Sequence, residues 1–258
     1  MMKAKKHYGQ NFLCDKNIIQ QIIQAIPKNI KNIVEIGPGL GDLTQELLKI
    51  SPVKAYELDD ELIIFLQKKF QKELECEKFN LIHQDANKVL SFDTKKYFLV
   101  ANLPYYIASR LILKALEDEN CLGLVVMVQK EMAIKFCAKS GENEFSALGI
   151  LSAMICTRKI LFDVSPLCFK PQPKVLSSVI KLIKKREFKE FCNIETFKQF
   201  LKECFKSPRK QLLSNLKAKK EKIVPFFQKQ NIQKNIRPHE LCVDSYLQIY
   251  KLLKDYYE

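Results

Sequence analysis

No apolar run in this 258-residue sequence approaches the ~18 residues that would span a bilayer. The N-terminus, MMKAKKHYGQ, is basic but lacks the apolar core of a signal peptide. A cytoplasmic protein with no membrane partner is expected. No two of the nine cysteines, at 14, 76, 121, 137, 156, 168, 192, 204 and 242, have C-x-x-C spacing, and their number is odd. That argues against a disulfide framework and a zinc site, and predicts reduced thiols and no metal. Seven glycines and ten prolines are too few for a fibrous or disordered chain. Tryptophan is absent, which excludes nothing. No internal repeat or low-complexity tract is found. The three histidines, His7, His83 and His239, belong to no legible nucleophile–base–acid set and read as structural or surface groups.

What is present points to a packed protein with a charged end. Hydrophobic residues make up 47% of the chain, enough for one larger domain and a smaller one. The net charge is +14, unevenly spread: residues 1–180 hold 24 basic and 20 acidic side chains, residues 181–258 hold 19 and 9. A concentrated basic end suggests a polyanionic partner, with nucleic acid ahead of an anionic membrane surface.

Short apolar runs alternate with helical patterns. NIVEIG (32–37), VKAYEL (53–58), FNLIHQ (79–84), YFLVA (97–101) and LGLVVMVQ (122–129) read as strands. Residues 42–50, 59–74 and 109–118 read as helices between them, and 130–157 as mostly helical with a break near Gly141. KILFDVS (159–165) and SSVIKLI (177–183) read as two closing strands around a proline-rich loop. The alternation predicts an α/β, Rossmann-like, mostly parallel sheet of seven strands with an antiparallel edge hairpin. From 185 onward the pattern is helical. The expected domains are therefore 1–184, for cofactor and catalysis, and 185–258, small, helical and basic.

The first strand ends in VEIGPGLGDLT (34–44). Gly37, Gly39 and Gly41 allow positive φ and close approach of a ligand to the backbone. The dinucleotide fingerprint G-x-G-x-x-G fails because Asp42 stands at its third glycine, which disfavours a nicotinamide-linked oxidoreductase. No Lys-Ser/Thr follows, which argues against a phosphate-binding P-loop. Glu35 precedes the turn. Glu57, at the end of the second strand, is placed to accept hydrogen bonds from a ribose diol, and Asp85 after the third could receive an adenine amino group. Ordinary turn glycines with solvated acids are the bland alternative, and the acids recurring at successive strand ends favour a nucleoside ligand.

The fourth strand ends in Asn102-Leu103-Pro104-Tyr105. With E-x-G-x-G-x-G, Glu57 and Asp85, this resembles the S-adenosylmethionine-dependent methyltransferases that act on the exocyclic nitrogen of adenine. YGQNFL (8–13), FKPQPKVLSSV (169–179) and RPHELCVDSYLQI (237–249) narrow the likeness to the 16S ribosomal RNA adenine dimethyltransferases, over residues 5 to 250. The resemblance implies N6,N6-dimethylation of two adjacent adenosines near the 3′ end of 16S rRNA, within the 30S subunit or its precursor. It implies S-adenosylmethionine as methyl donor, held by Asn11, Leu13, Gly37, Gly39, Glu57, Asp85 and Asn102. In that chemistry the Asn102 side-chain oxygen and a backbone carbonyl near Leu103–Pro104 hold the amine's N–H bonds. Tyr105 stacks on the base and Phe169 closes its other side. Two departures stand out: Tyr106 where many members have asparagine, and Pro208 where an arginine is common.

Lys3, Lys5 and Lys6 lead into the cofactor segment. Lys206, Arg209, Lys210, Lys217, Lys219, Lys220 and Lys222 form the densest basic stretch. Arg209 and Lys210 are expected to contact RNA; the other lysines are expected on a solvated helix face. Nothing in the sequence demands more than a monomer. Two other functions fit less well: a relative that methylates a large-subunit adenosine, which YGQNFL and the RPHEL tail disfavour, and a non-catalytic RNA-binding assembly factor, which the intact Asn102, Pro104, Tyr105, Glu57 and Asp85 disfavour.

Overall fold

The computed structural model describes residue 5 and residues 9–257; Lys3, Lys6, His7 and Tyr8 lie outside them. In chain order the described elements are β1 (Phe12–Leu13), α1 (Lys16–Ala25), β2 (Ile33–Ile36), α2 (Asp42–Leu47), β3 (Val53–Glu57), α3 (Asp60–Lys69), α4 (Gln71–Glu75), β4 (Phe79–His83), β5 (Tyr97–Asn102), α5 (Ala108–Glu117), β6 (Cys121–Gln129) and α6 (Lys130–Cys137). They continue with α7 (Ala147–Ile155), β7 (Cys156–Val164), β8 (Phe169–Lys170), β9 (Ser177–Lys184), α8 (Ile194–Cys204), α9 (Leu212–Asn215), α10 (Lys220–Lys229) and α11 (Val243–Leu252). The chain divides into two compact units, one of residues up to 133 and 159–184, the other of 134–158 and 185–258.

The first unit is built on a seven-stranded sheet of order β4-β3-β2-β5-β6-β9-β7. β2 pairs in parallel with β3 and β5, β4 with β3, and β6 with β5, while β9 runs antiparallel to β6. Continuous apolar runs make these strands: all four residues of β2 are buried, as suits a parallel strand covered on both faces. Leu47, Ala55, Leu66, Val100, Val125 and Val179 are core residues of this unit. Strand order reverses between β2 and β5, and an open α/β sheet opens a crevice at such a point, beyond the carboxyl ends of its strands. Of the two closing strands, β9 is the inner one and β7 stands at the edge.

Caps fix where the helices begin. Asp15 accepts from the Asn17 and Ile18 N–H groups at the start of α1, and Asp59 from Glu61 N–H at the start of α3. The single helix expected over 59–74 is two, turning at Phe70 (φ −114°, ψ 30°). The Phe70 ring fills the space under the glycine turn: a Cβ placed on Gly41 (φ +77°) would stand 2.5 Å from it. A two-stranded antiparallel ladder unites distant segments, with Phe12 opposite Lys170 and Leu13 opposite Phe169. Period-2 patterning is illegible in two residues, so the sequence did not announce it.

The second unit is helical. Phe197, Phe200, Tyr246 and Tyr250 form an aromatic core, with Phe197 and Tyr250 edge to face at 5.1 Å between centroids. The Tyr246 hydroxyl donates to the Pro238 carbonyl at 2.6 Å. Residues 134–158, contiguous in sequence with the sheet, pack here. α7 supplies Ile150, Leu151, Met154 and Ile155 as buried residues, and Arg158 donates to the carbonyls of Phe136, Ala138 and Gly149 at 2.9–3.2 Å.

Candidate active site

At the strand-order reversal lies a cleft lined by the turn after β2, the ends of β3 and β5, the loop after β4 and the segment around β1. Its empty volume, open mouth included, is ≈ 1050 Å³, the scale of a small-molecule site. Asn11, Leu13, Gly37, Gly39, Glu57, Asp85, Asn102, Leu103, Pro104 and Tyr105 all line it.

Each strand end delivers one polar group. After β2 the backbone takes positive φ at Gly37 and Gly39, and a Cβ on Gly39 would meet the Phe12 ring at 2.9 Å. At the end of β3, Glu57 Oε1 accepts from Leu58 N–H (2.8 Å) and Asp59 N–H (3.0 Å), and Oε2 from Gly39 N–H at 3.4 Å. Oε2 is therefore the less saturated oxygen. Burial pushes the Glu57 carboxyl up, and the backbone donors oppose it. After β4, Asp85 Oδ1 accepts from Asn87 N–H at 2.9 Å. Lys114 holds the same loop through the carbonyls of Ala86 (3.2 Å) and Asn87 (3.1 Å).

Asn102 closes β5. Its Nδ2 donates to the Asn11 carbonyl at 2.9 Å. A carbonyl can only accept, so the amide's other atom, Oδ1, is assigned by chemistry and is left for a donor. Leu103 N–H bonds Met127 O at 3.1 Å, and Ile107 N–H bonds Pro104 O at 3.2 Å, turning the chain toward α5. Among the described residues the Leu103 carbonyl accepts no such backbone bond. One carbonyl near Leu103–Pro104 was expected to serve as an acceptor, and of the two there Leu103's is the one without such a bond. The Tyr105 hydroxyl meets Ser177 Oγ at 2.6 Å.

Phe169 is not in the cleft. It is 1% exposed and belongs to the core of the first unit. It pairs through the β1–β8 ladder with Leu13, which does line the cleft. Tyr106, 63% exposed, stands on the rim, where a Cβ on Gly9 would be 3.4 Å from its ring.

Three groups were not assigned roles from the sequence. Glu35, fully buried, accepts from Thr44 Oγ1 at 2.7 Å. Burial pushes its carboxyl up to about 8; the Thr44 hydrogen bond opposes that and the Glu57 charge adds to it. Asp59, also buried, receives Lys5 Nζ at 2.6 Å and Gln10 Nε2 at 2.8 Å, tying the N-terminal segment beside the cleft. Burial pushes Asp59 up, but Lys5, Gln10 and Glu61 N–H outweigh it and leave the carboxyl below its ordinary range. Its only sequence signal was the start of a helix. Arg237 joins Arg209 and Lys210 in a groove of the second unit, with Gln211, Ser214, Asn231 and Gln233. The expectation for Lys219 was wrong. It is 9% exposed, paired with Glu203 and donating to the Tyr257 hydroxyl at 2.7 Å. An isolated buried ammonium costs too much, so carboxylate, phenol and ring hold it.

Comparison with known proteins gives this geometry its setting. A family model described as ribosomal RNA adenine dimethylase matches residues 1–255. The chain belongs to this family. A ribosomal RNA small subunit methyltransferase A from Campylobacter jejuni (strain RM1221) is 68% identical over 100% of this chain and 97% of its own. The protein of that description from Campylobacter curvus (strain 525.92) is 51% identical over 99% and 94%. Among solved structures, a dimethyladenosine transferase from Plasmodium falciparum superposes with TM-score 0.78 at 24% identity, over 95% of this chain and 98% of that one. The 23S rRNA methyltransferase ErmE superposes with TM-score 0.72 at 21% identity, over 95% and 100%. These two likenesses establish a Rossmann-like methyltransferase fold. Among the described residues of this adenine dimethylase, no group of three His, Cys, Asp or Glu could hold a metal ion. No helix among them is long and apolar enough to cross a membrane.

Proposed function

We propose that this family member transfers methyl groups from S-adenosylmethionine to N6 of two adjacent adenosines near the 3′ end of small-subunit rRNA, in the cytoplasm, as a monomer acting on the maturing 30S particle. The orientation of the Asn102 amide carries the reading. Its nitrogen is engaged by Asn11, which leaves its oxygen to accept from a donor, and a purine's exocyclic amine is such a donor.

The cleft fits the cofactor. Glu57 Oε2, short of strong donors, suits a ribose diol, and the Asp85 oxygen outside its turn bond suits an adenine amino group. A Cβ on Gly37 would meet nothing within 4 Å, so the backbone there is open to a ligand. Bound, the cofactor supplies a methyl group on a positively charged sulfur. The protein supplies placement. An adenine amine is a weak nucleophile because its lone pair is delocalised into the ring. Accepting its N–H bonds at Asn102 Oδ1 and the Leu103 carbonyl, two at the first transfer and the one that remains at the second, directs the lone pair toward the methyl. Such preorganised acceptors act at no reorganisation cost. Neither acceptor keeps a proton, so the one released at each transfer passes to water. Tyr105 offers a face to the extruded base, worth ~1–3 kcal/mol of stacking. With Phe169 in the core, the second face requires either Phe169 to leave it or another group to serve.

Residues 1–184 carry this chemistry in our reading, and the basic helical region binds RNA through Arg209 and Lys210, with Arg237 beside them. Residues up to 133 and 159–184 alone form the compact unit that holds the cleft, so 134–158 count with the helical region. The test is transfer of radiolabelled methyl to under-methylated small subunits, naked small-subunit RNA and large-subunit RNA. Label in small subunits is expected; label in large-subunit RNA alone would overturn the proposal.

A further inference from the structure

Tyr105 sits on an irregular stretch with no ladder of its own. The backbone bonds on either side are Leu103 N–H to Met127 O and Ile107 N–H to Pro104 O. A phenylalanine would present the same π face. What the phenol adds is a hydroxyl, and that hydroxyl meets Ser177 Oγ at 2.6 Å. Ser177 is 0% exposed and opens β9 in register with Gln129 of β6. Both its neighbours are fixed. Ser178 Oγ donates to Asp163 Oδ1 at 2.7 Å, and the Leu176 carbonyl accepts Lys130 N–H at 3.0 Å. The ring is thus held at its tip by a hydroxyl whose neighbours are fixed.

We infer that Ser177 is a positioning residue for methyl transfer: its hydroxyl anchors the outer end of the Tyr105 side chain, so that an extruded adenine meets a ring whose position is already set. The inference rests on the proposed function. Burial pushes the Tyr105 phenol up from its ordinary range, so the hydroxyl stays protonated and the pair supplies a hydrogen bond, not a charge. Near-attack geometry is sensitive to small tilts of the bound base. Ser177 also directly follows the proline-rich loop, so the strand that ends the loop sets the ring.

The test compares wild type, Ser177→Ala, Tyr105→Phe and the double variant on under-methylated small subunits, in single-turnover methyl transfer. Each single change should slow transfer in the preformed complex by about three- to tenfold, the loss expected for one hydrogen bond. The double variant should be no slower than either, and affinities for cofactor and subunit should stay at wild-type values. Subunits carrying 2-aminopurine at the target adenosine give a second readout, with emission quenched by wild type and less so by both variants. Wild-type rate and quenching in Ser177→Ala, or losses that multiply in the double variant, would overturn the inference. If wild type neither quenches nor transfers, the proposed function itself fails. Tyr105→Phe keeps the test valid should Ser177→Ala unfold, since it alters only the other end of the bond.

Discussion

A side chain's neighbours decide what its atoms can do, and Glu35 and Asn102 show this from opposite sides. Asn102 was singled out because Asn-Leu-Pro-Tyr at a strand end, with the glycine motif upstream, resembles the adenine-N6 methyltransferases, and it lines the cleft. Its orientation was not legible from the sequence, because the Asn11 carbonyl that sets it lies 91 residues away in sequence. Glu35 looked like part of a glycine motif, and only the fold reveals a carboxyl with a single Thr44 donor and a pKa raised to about 8. The folded state holds this proton more tightly than an unfolded chain, where a glutamate has its ordinary value of 4.5. The group's contribution to stability is therefore fully present below pH 4.5 and is lost as pH rises toward about 8. The slope is at most about 1.4 kcal/mol per pH unit. Glu57, also raised, adds to the trend, while Asp59 and Asp163, both lowered from 3.8, are ionised in both states above pH 4.5 and leave it unchanged. Thermal melts of the cofactor-free protein from pH 5 to 9 should show Glu35→Gln gaining on wild type as pH rises, levelling off above about 8. Parallel curves would mean that Glu35 is ionised throughout.

At the scale of elements, long periodic segments declared themselves and short non-local ones did not. The parallel strands were visible as apolar runs because both faces are buried. The turn at Phe70 and the β1–β8 ladder were not, since one depends on a ring filling space under Gly41 and the other on pairing across more than a hundred residues. Phe169 was misplaced for the latter reason: its motif named it, while the ladder with Leu13 put it in the core. Asp59 joins two elements, capping α3 and anchoring Lys5 and Gln10. Asp59→Ala should cost about 1 kcal/mol from the lost cap alone. It should also loosen the N-terminal segment, which contributes Asn11 and Leu13 to the cleft. The expected result is a lower melting temperature together with weaker S-adenosylmethionine binding by titration calorimetry. A lower melting temperature with unchanged affinity would confine Asp59 to a structural role.

Over the whole molecule, charge was legible and its use was not. The sequence located the basic excess after residue 180 but could not separate a buried lysine from a solvated one. Nor could it see that 134–158, up to the first residues of β7, fall in the helical unit, because proximity along the chain is no guide to such packing. Arg209, Lys210 and Arg237 share a groove, while Lys219 is committed to Glu203 and Tyr257. Replacing Arg209 and Lys210 by alanine should therefore weaken RNA binding and reduce the slope of log affinity against log salt by ~0.7–0.9 per lost phosphate contact. Lys219→Met should leave that slope unchanged while lowering stability, because the Glu203 carboxylate loses its cation and keeps only the Tyr257 hydroxyl. An unchanged slope in the Arg209/Lys210 variant would return those residues to an ordinary solvated face.

The central claim is that the Asn102 carboxamide oxygen holds the amine that is methylated. Single-turnover transfer by Asn102→Ala on under-methylated small subunits, with subunit affinity measured in parallel, tests it most directly. The account predicts a rate lower by about 10²–10³, the usual loss for one preorganised hydrogen-bonding group, with affinity for the subunit nearly intact. Transfer at the wild-type rate, or rate and affinity falling together by equal factors, would contradict it.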